Sequence, residues 1–191
     1  MINAATYREM QAQYGRWSSW AVWAEAASKP KSNISDLGIF SQTDILRFLN
    51  PEVVFVGLNI SRDAINTTWG NFHDASPRGM DFKMRHALQG TEWWGGYMTD
   101  IIKDYNEVNS MKVTQYLKHN PSYEKENVNR FLKELEILGA RNPKIIAVGC
   151  ATYEVLTRNL SHQFGIVKIP HYAHRMSKEK YRIAVADALS S

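Results

Sequence analysis

The sequence predicts an α/β fold around a short, mostly parallel, four-stranded central sheet. Two observations lead to this prediction. Residues 53–57 and 145–149 are unbroken apolar runs rich in β-branched side chains, which is typical of strands buried on both faces. Segments with helical apolar spacing separate the candidate strands, and this alternation favours parallel pairing.

The elements are expected in a regular order along the chain. Strands are expected at 53–57, 97–102, 144–149 and 164–169. Helices are expected at 1–28, 45–49, 82–88, 128–138, 150–160 and 178–188. We expect Gly57 to end the first strand and a loop to run from there to about residue 79.

The length is that of one domain, and we expect residues 1–191 to form it. Residues 1–50 are predicted to be a helical N-terminal extension that packs on a core of residues 51–191. The apolar share of 44% and the charged share of 22% are typical of a globular protein. We find no signal-peptide pattern and no apolar run near the roughly 18–20 residues of a membrane helix, so a cytoplasmic protein is predicted.

Cysteine usage and net charge narrow the classes of function. Cys150 is the one cysteine, which excludes a disulfide framework and any iron–sulfur or zinc site built from several cysteines of one chain. The net charge of +4 slightly favours anionic partners. The sequence predicts no cofactor.

Ligands of open parallel sheets bind beyond the carboxyl ends of the strands, and this rule selects three segments. The first begins at Gly57, where the missing side chain lets the backbone approach a ligand. It has neither the phosphate-binding nor the dinucleotide-binding glycine pattern, which argues against a nucleotide cofactor. Asn59 carries an amide that can orient a water or contact a base edge, and it is equally suited to a turn.

The second segment ends in Asp100 and the third contains two histidines. Asp100 is either a ligand-binding carboxylate at a strand end or a helix cap or surface group. The spacing of His171 and His174 is unspecific for a metal site, and no further ligands accompany them, so no metal is predicted. His171 is better suited to hydrogen-bond a substrate oxygen.

The third segment leads into a basic helix. Ser177 is expected to cap this helix, and Lys178, Lys180 and Arg182 follow it. A helix N-terminus with nearby cations suits a phosphate group, while a solvated basic face explains the same residues.

These segments resemble the motifs of the uracil-DNA glycosylase superfamily. Residues 57–61 (GLNIS) are similar to its Gly-x-Asp/Asn-Pro motif, and residues 169–177 occupy the position of its His/Asn-Pro-Ser motif. Phe72 follows Gly57 by about fifteen residues, where the family has the aromatic that stacks on the flipped base. The similarity spans roughly residues 51–189 and is closest to the mismatch-specific (thymine/uracil) branch.

Three positions depart from the pattern of the superfamily. Ile60 stands where the first motif has proline, and Tyr172 and Ala173 stand where the second has proline and serine. Asp100 stands at the base-selecting position. A carboxylate accepts hydrogen bonds but does not donate them. Asp100 is therefore expected to disfavour O4 of uracil and to tolerate an exocyclic amine, unless protonation or a backbone donor intervenes.

The resemblance implies a three-layer α/β/α fold and a DNA glycosylase. Such an enzyme hydrolyses the N-glycosidic bond of a uracil-like, deaminated or mismatched base that is flipped out of DNA during repair. Phe72 would stack on the base, and Asn59 would position the attacking water. His171 would hydrogen-bond a base carbonyl and stabilise the departing anion. The partner would be duplex DNA with a damaged or mismatched base, or single-stranded DNA, bound by a monomer.

The resemblance also implies further contacts. The base would meet Gly57, Leu58, Asp100 and His174. The DNA would be held by Ser61, Arg175, Met176, Ser177, Lys178 and Lys180. Either Arg175 or Met176 would insert into the gap that the flipped base leaves in the duplex.

Two other functions remain open at this stage. The loss of both motif prolines motivates a non-catalytic nucleic-acid-binding protein of the same fold, which would bind without releasing a base. A small-molecule or nucleoside hydrolase could use Asn59, Asp100 and His171 in the same crevice, and it would act on free nucleosides without affinity for DNA.

Overall fold

The computed structural model describes residues 2–61 and 67–190. Six α-helices are described, with the bounds α1 Ala4–Tyr14, α2 Phe82–Leu88, α3 Ser110–His119, α4 Pro121–Leu138, α5 Cys150–Leu160 and α6 Lys178–Ser190. Five strands are described, with the bounds β1 Ser18–Trp20, β2 Asn50–Asn59, β3 Gly96–Ile102, β4 Lys144–Val148 and β5 Ile166–Ile169. None of these helices is long and apolar enough to cross a membrane.

The fold is α/β, as predicted, but the sheet has five described strands rather than four. Their order is β1-β3-β2-β4-β5. The four strands β3, β2, β4 and β5 run parallel, and β1 pairs antiparallel with β3 at one edge. The sheet is therefore mixed, with a parallel body and one antiparallel edge strand.

The additional strand lies in a segment that the sequence predicts as helix. The prediction of a helix over residues 1–28 is wrong after Gly15, where α1 is capped. Residues 18–20 instead pair with residues 97–99 of β3. The backbone groups on that edge of β3 need hydrogen-bond partners, and Trp20 gains full burial beside Tyr97. Because β1 belongs to the main sheet, residues 1–50 are not purely helical; a division of the chain at residue 50 stays a prediction.

Other elements differ from the prediction at their ends. The first predicted strand does not stop at Gly57, because β2 continues to Asn59. The helix expected at 45–49 is a single 3-10 turn, Ile45–Arg47. The helix α3 falls in a segment for which no helix was predicted. Residues 62–66 of the predicted loop lie outside the described residues.

Alternating side chains of β2 pack into two hydrophobic clusters on opposite sides of the sheet. Val54, Val56 and Leu58 belong to one cluster, which includes buried residues of α1, α3, α4 and α5. Val53 and Phe55 belong to the other, which includes residues of α2 and α6. This alternation follows from the two-residue repeat of a strand.

Three of the six tryptophans, Trp20, Trp23 and Trp69, are buried. Trp20 lies edge-on to Tyr97, with ring centroids 5.0 Å apart, and edge-on to Trp69 at 6.2 Å. Trp23 packs against Trp94 at 5.6 Å. These contacts link the N-terminal segment to β3 and to the loop that precedes α2.

A buried ion pair lies beneath the end of β3. Lys103 Nζ is 2.7 Å from Glu134 Oε2 on α4, and both side chains are fully buried. Lys103 Nζ also donates to the carbonyl oxygen of Asp100 at 2.7 Å and to Thr99 Oγ1 at 3.2 Å. Tyr97 donates to Glu134 Oε1 at 2.7 Å. The pair therefore joins α4 to the final residues of β3.

We expect Lys103→Met alone to destabilise the fold strongly, because it leaves the Glu134 carboxylate buried without its cation. Loss of one partner of a buried pair costs about 3–5 kcal/mol. The double variant Lys103→Met/Glu134→Leu is expected to recover much of that loss, since no lone charge remains. Urea denaturation measures both values, and equal destabilisation by the single and double variants would contradict this account.

Candidate functional site

The carboxyl ends of β2 and β3 lie side by side, and the candidate site is built on them. In the parallel register, Gly57 is the partner of Asp100 and Asn59 is the partner of Ile102. Alternation along β2 directs Gly57 and Asn59 to the side of the sheet that holds the cluster with Phe55. Two of the three segments selected from the sequence thus meet directly.

Gly57 makes room for the carboxylate of Asp100. A Cβ atom at position 57 would lie 2.2 Å from Asp100 Oδ1 and 3.4 Å from Phe72 Cζ. Atoms at 2.2 Å overlap, so any larger residue at position 57 would displace the carboxylate. The missing side chain therefore lets an acidic group and an aromatic ring approach one point on the strand.

Asn71 orients the Asp100 carboxylate. Its Nδ2 donates to Asp100 Oδ2 at 2.8 Å and to the carbonyl oxygen of Trp17 at 2.7 Å. Its Oδ1 accepts from the backbone N–H of Phe72 at 3.1 Å. One amide side chain thus connects the N-terminal segment, the end of β3 and the residue that carries the aromatic ring.

The loop that carries Phe72 adopts an unusual backbone conformation. Phe72 and Trp69 have φ angles of 65° and 63°, in the left-handed region that bulky residues avoid. Ser19 Oγ donates to the Trp69 carbonyl at 2.8 Å, and Trp23 Nε1 donates to the Phe72 carbonyl at 3.1 Å. Strain of this kind persists only where the surroundings hold it, and it concentrates at functional sites.

Burial makes ionisation of Asp100 more costly. The residue is 4% exposed, and its burial raises the pKa to about 6 from 3.8, against the lowering effect of the Asn71 hydrogen bond and of Lys103. The charge of Glu134 adds to the increase. Lys103 is also paired with Glu134, which limits how far Lys103 lowers the pKa of Asp100. The carboxylate is therefore ionised at neutral pH but near its titration range.

The third segment contacts this site through Tyr172, which lies next to Phe72. The Tyr172 ring stacks on His171 at 4.3 Å and meets the edge of Phe72 at 6.4 Å. Burial raises the pKa of Tyr172 well above its ordinary value, and the charges of Asp81 and Asp100 add to that. The phenol is consequently neutral and separates His171 from Phe72.

His171 has a defined tautomer. Its Nδ1 accepts from the backbone N–H of Ala173 at 3.1 Å, which leaves Nε2 to carry the proton of a neutral ring. Desolvation by surrounding protein atoms lowers its pKa below 6.5, so the neutral form prevails at neutral pH. The ring also lies close to Gly149, where a Cβ would be 3.3 Å from the His171 Cβ.

Asn59 holds the segment that follows β3. Its Nδ2 donates to the carbonyl oxygens of Tyr105 and Glu107, each at 2.9 Å. These acceptors fix the orientation of the amide and direct Oδ1 away from them. The described contacts do not link Asn59 directly to His171 or Phe72.

The residues proposed for base contact lie in different environments. Leu58 is 9% exposed and packs in the cluster on the opposite side of the sheet from Phe72, so its backbone alone faces the site. His174 is exposed, and its carbonyl accepts from Lys83 Nζ at 2.9 Å. Phe72 itself is 5% exposed and contacts the Tyr172 ring, so stacking of a base on it requires neighbouring side chains to move.

The residues proposed for DNA contact lie around the start of α6. Ser61, Arg175 and Lys180 are exposed. Ser177 Oγ accepts from the N–H of Lys180 at 3.2 Å and so caps the helix, as predicted. Lys178 lies 3.5 Å from Glu179.

Two further side chains of this region are engaged with the protein. Arg182 donates to the carbonyls of His86 and Gln89 at the end of α2. Met176 is half-buried against the cluster that includes α2 and α6. Arg175 and Lys180 therefore remain the more accessible cations.

Of two surface cavities, one lies beside this site and the other lies away from it. One of about 600 Å³ is lined by Met80, Lys83, Ala173, His174, Arg175 and Met176, beside the Tyr172 loop. Another of about 650 Å³ lies among α3, α4 and α5, away from Phe72 and Asp100. At its wall, Glu124 is hydrogen-bonded to Arg158 and Asn159, which satisfies that carboxylate. Within residues 2–61 and 67–190, no group of three or more His, Cys, Asp or Glu side chains is suited to hold a metal ion.

Comparisons of the chain with protein-family models, with curated proteins and with solved structures find no match.

Sequence reasoning missed two residues of this site. Asn71 orients Asp100, and Tyr172, noted only as a departure from a motif, packs between His171 and Phe72. In the sequence, the role of Asn71 is indicated by its position directly before Phe72, because asparagine amides hydrogen-bond the backbone in such loops. For Tyr172, nothing in the sequence indicates its packing except that it directly follows His171.

We expect the stability of the protein to depend on pH through Asp100. A folded-state pKa of about 6, above 3.8, means that this group contributes stability that is full below about pH 4 and lost as the pH rises through about 6. Asp100→Asn cannot ionise and retains an acceptor for Asn71. It should therefore be more stable than the wild type at about pH 8, by up to about 3 kcal/mol, and not at about pH 4.

Asp104→Asn provides the matched control for this measurement by urea denaturation. Burial raises the pKa of Asp104, but hydrogen bonds from Arg130 and Trp17 outweigh it and lower the pKa. The control should therefore lose stability at high pH instead of gaining it. An Asp100→Asn effect of equal size at both pH values would contradict the assignment of a raised pKa.

Proposed function

We propose that the protein is a DNA glycosylase that hydrolyses the N-glycosidic bond of a flipped base. The observation that carries the proposal is the meeting of the Asp100 carboxylate and the Phe72 ring over Gly57, at the carboxyl ends of β2 and β3. A hydrogen-bonding edge and an apolar ring at one point are what recognition of a flipped base requires. The helices on both sides of the sheet fit the three-layer α/β/α arrangement implied by the resemblance.

Phe72 and Asp100 are the proposed base-binding groups. The Phe72 ring would stack on the base after the Tyr172 ring moves aside. Asp100 Oδ1 would accept from the base edge, because Oδ2 is engaged by Asn71. Binding energy from stacking and hydrogen bonding would offset the few kcal/mol that base extrusion costs.

His171 and Asn59 are the proposed catalytic groups. The neutral His171 ring presents Nε2–H as a donor, which suits an acceptor atom of the base. Asn59 Oδ1 would accept from a water and direct its oxygen towards C1′ of the sugar. The Asn59 amide cannot remove the proton of this water, which predicts slow turnover.

Basic residues beside the crevice are the proposed phosphate contacts. Arg175 and the buried Lys83 line the cavity of about 600 Å³ next to the Tyr172 loop. Lys180 and the capped start of α6 lie a short way along the chain. A helix N-terminus with adjacent cations is a favourable site for a phosphate oxygen.

A non-catalytic nucleic-acid-binding protein is the second candidate. The observation that favours it is the burial of Phe72 and Asp100, at 5% and 4% exposure, with the Tyr172 ring in contact with Phe72. Such a protein would bind DNA by the basic residues alone. Binding without release of any base would identify it.

Asn59→Ala is expected to slow base release by at least about 100-fold, the scale of a lost catalytic group. The measurement is single-turnover cleavage of duplexes that carry uracil, a thymine mismatch, hypoxanthine, xanthine or an alkylated purine. Asn127→Ala is the matched control, because Asn127 also anchors the segment after β3, accepting from Lys103 N–H at 2.8 Å. No release from any duplex, or equal rates for both variants, would contradict the catalytic role.

Arg175→Ala and Lys180→Ala are each expected to reduce the salt dependence of DNA binding. Each lost phosphate contact should lower the slope of log K against log salt by about one unit. Electrophoretic retardation at several salt concentrations gives the slope. Lys133→Ala, an exposed lysine on α4, is the control and should leave the slope unchanged. Unchanged slopes for Arg175→Ala and Lys180→Ala would show that the phosphates lie elsewhere.

A further inference from the structure

We propose that the site acts on cationic bases, such as N-alkylated purines with ring N–H and exocyclic amine donors, in preference to uracil. The inference rests on the proposed glycosylase function and specifies its substrate class. It follows from the charge of the groups that surround the base position.

Asp100 supplies a fixed negative charge at that position. Its Oδ2 is held by Asn71 at 2.8 Å, and its Oδ1 lies over Gly57 beside the Phe72 ring. The cation that acts on it, Lys103, is paired with Glu134 at 2.7 Å, and its contact with Asp100 is to the backbone carbonyl. The carboxylate is thus held by an uncharged amide, and within residues 2–61 and 67–190 it forms no ion pair with a cation of its own.

The other titratable groups on the path from Phe72 to His171 are uncharged. Tyr172 is a neutral phenol because its pKa is raised, and His171 is a neutral imidazole with its proton on Nε2. Among Phe72, Asp100, Tyr172 and His171, Asp100 is therefore the group that carries a charge at neutral pH.

The charge of the leaving group determines how the Asp100 carboxylate affects departure of the base. Uracil leaves the sugar as an anion, and a buried carboxylate close to it raises the energy of that state. A cationic base leaves as a neutral molecule while positive charge passes to the sugar, so the carboxylate faces no developing anion. An aromatic face such as that of Phe72 also attracts a cation. The site is consequently mismatched to an anionic leaving group and compatible with a neutral one.

The hydrogen-bonding edge of the base favours the same class of substrate, the N-alkylated purines. The free oxygen Oδ1 of Asp100 can accept from 7-methylguanine, which offers two adjacent donors, its N1–H and its N2 amine. Uracil offers one donor, N3–H, which lies between the acceptors O2 and O4 and has no adjacent amine. The orientation by Asn71 fixes the carboxylate for such donors before the base arrives.

The proposed reaction is a hydrolysis that needs no further reactant than water. The water oxygen forms a bond to C1′ as the bond from C1′ to N9 breaks. The electron pair of that bond passes to the purine ring, which cancels its positive charge. One proton of the attacking water is lost to solvent, and the products are the neutral base and an abasic sugar.

The test compares two duplexes at about pH 7, one with 7-methylguanine and one with uracil opposite guanine. Single-turnover release is measured for the wild type, Asp100→Asn and Asp104→Asn, after subtraction of the rate without protein. We expect the wild type to favour 7-methylguanine. Asp100→Asn should shift the ratio of rates towards uracil by about 10- to 100-fold, the worth of one hydrogen bond to a charged group. Asp104→Asn, at an exposed surface position, should keep the wild-type ratio.

The outcomes separate this inference from the proposed function. Faster release of uracil by the wild type, or a ratio that Asp100→Asn leaves unchanged, would overturn the substrate class and leave the glycosylase intact. Release of neither base would also overturn the substrate class, and the absence of release from the thymine-mismatch, hypoxanthine and xanthine duplexes as well would overturn the glycosylase itself. Circular dichroism of each variant confirms that the compared proteins are folded.

Discussion

The burial of one carboxylate, that of Asp100, is the constraint on which the surroundings of the site depend. A buried charge must be met by hydrogen bonds or partners, and it needs space at the strand. Asn71 supplies the hydrogen bond, Gly57 supplies the space, and Lys103 with Glu134 forms a buried pair directly beneath. Changing any of these residues alters the others, because each satisfies the same group or its neighbour.

The sequence was informative where a local pattern decides structure. The helix at 82–88, the strand at 144–148 and the helix at 150–160 appear as predicted, because apolar periodicity determined them. The first strand was located correctly but ended two residues early at Gly57, since a glycine inside a strand looks like a breaker. Here it makes space for a neighbouring side chain.

The remaining features depend on contacts between distant residues. Residues 18–20 continue the aromatic spacing of α1, but pairing with β3 outweighs local propensity there. Asp100 and Phe72 were proposed as site residues from the resemblance, and they do meet over Gly57. Asn71 and Tyr172 could not be assigned, because their roles depend on contacts with Trp17 and Phe72, respectively, which are far from them in the chain.

The hydrogen bond from Asn71 to the Trp17 carbonyl also bears on where the chain can be shortened. The first fifty residues contribute the edge strand β1, packed tryptophan rings and the Trp17 carbonyl that accepts from Asn71. A fragment that begins at residue 51 would keep Asp100 and Phe72 but lose the Trp17 carbonyl and the Trp23 indole that anchors Phe72. The smallest working unit therefore starts before Trp17, and the N-terminal segment is part of the site's framework.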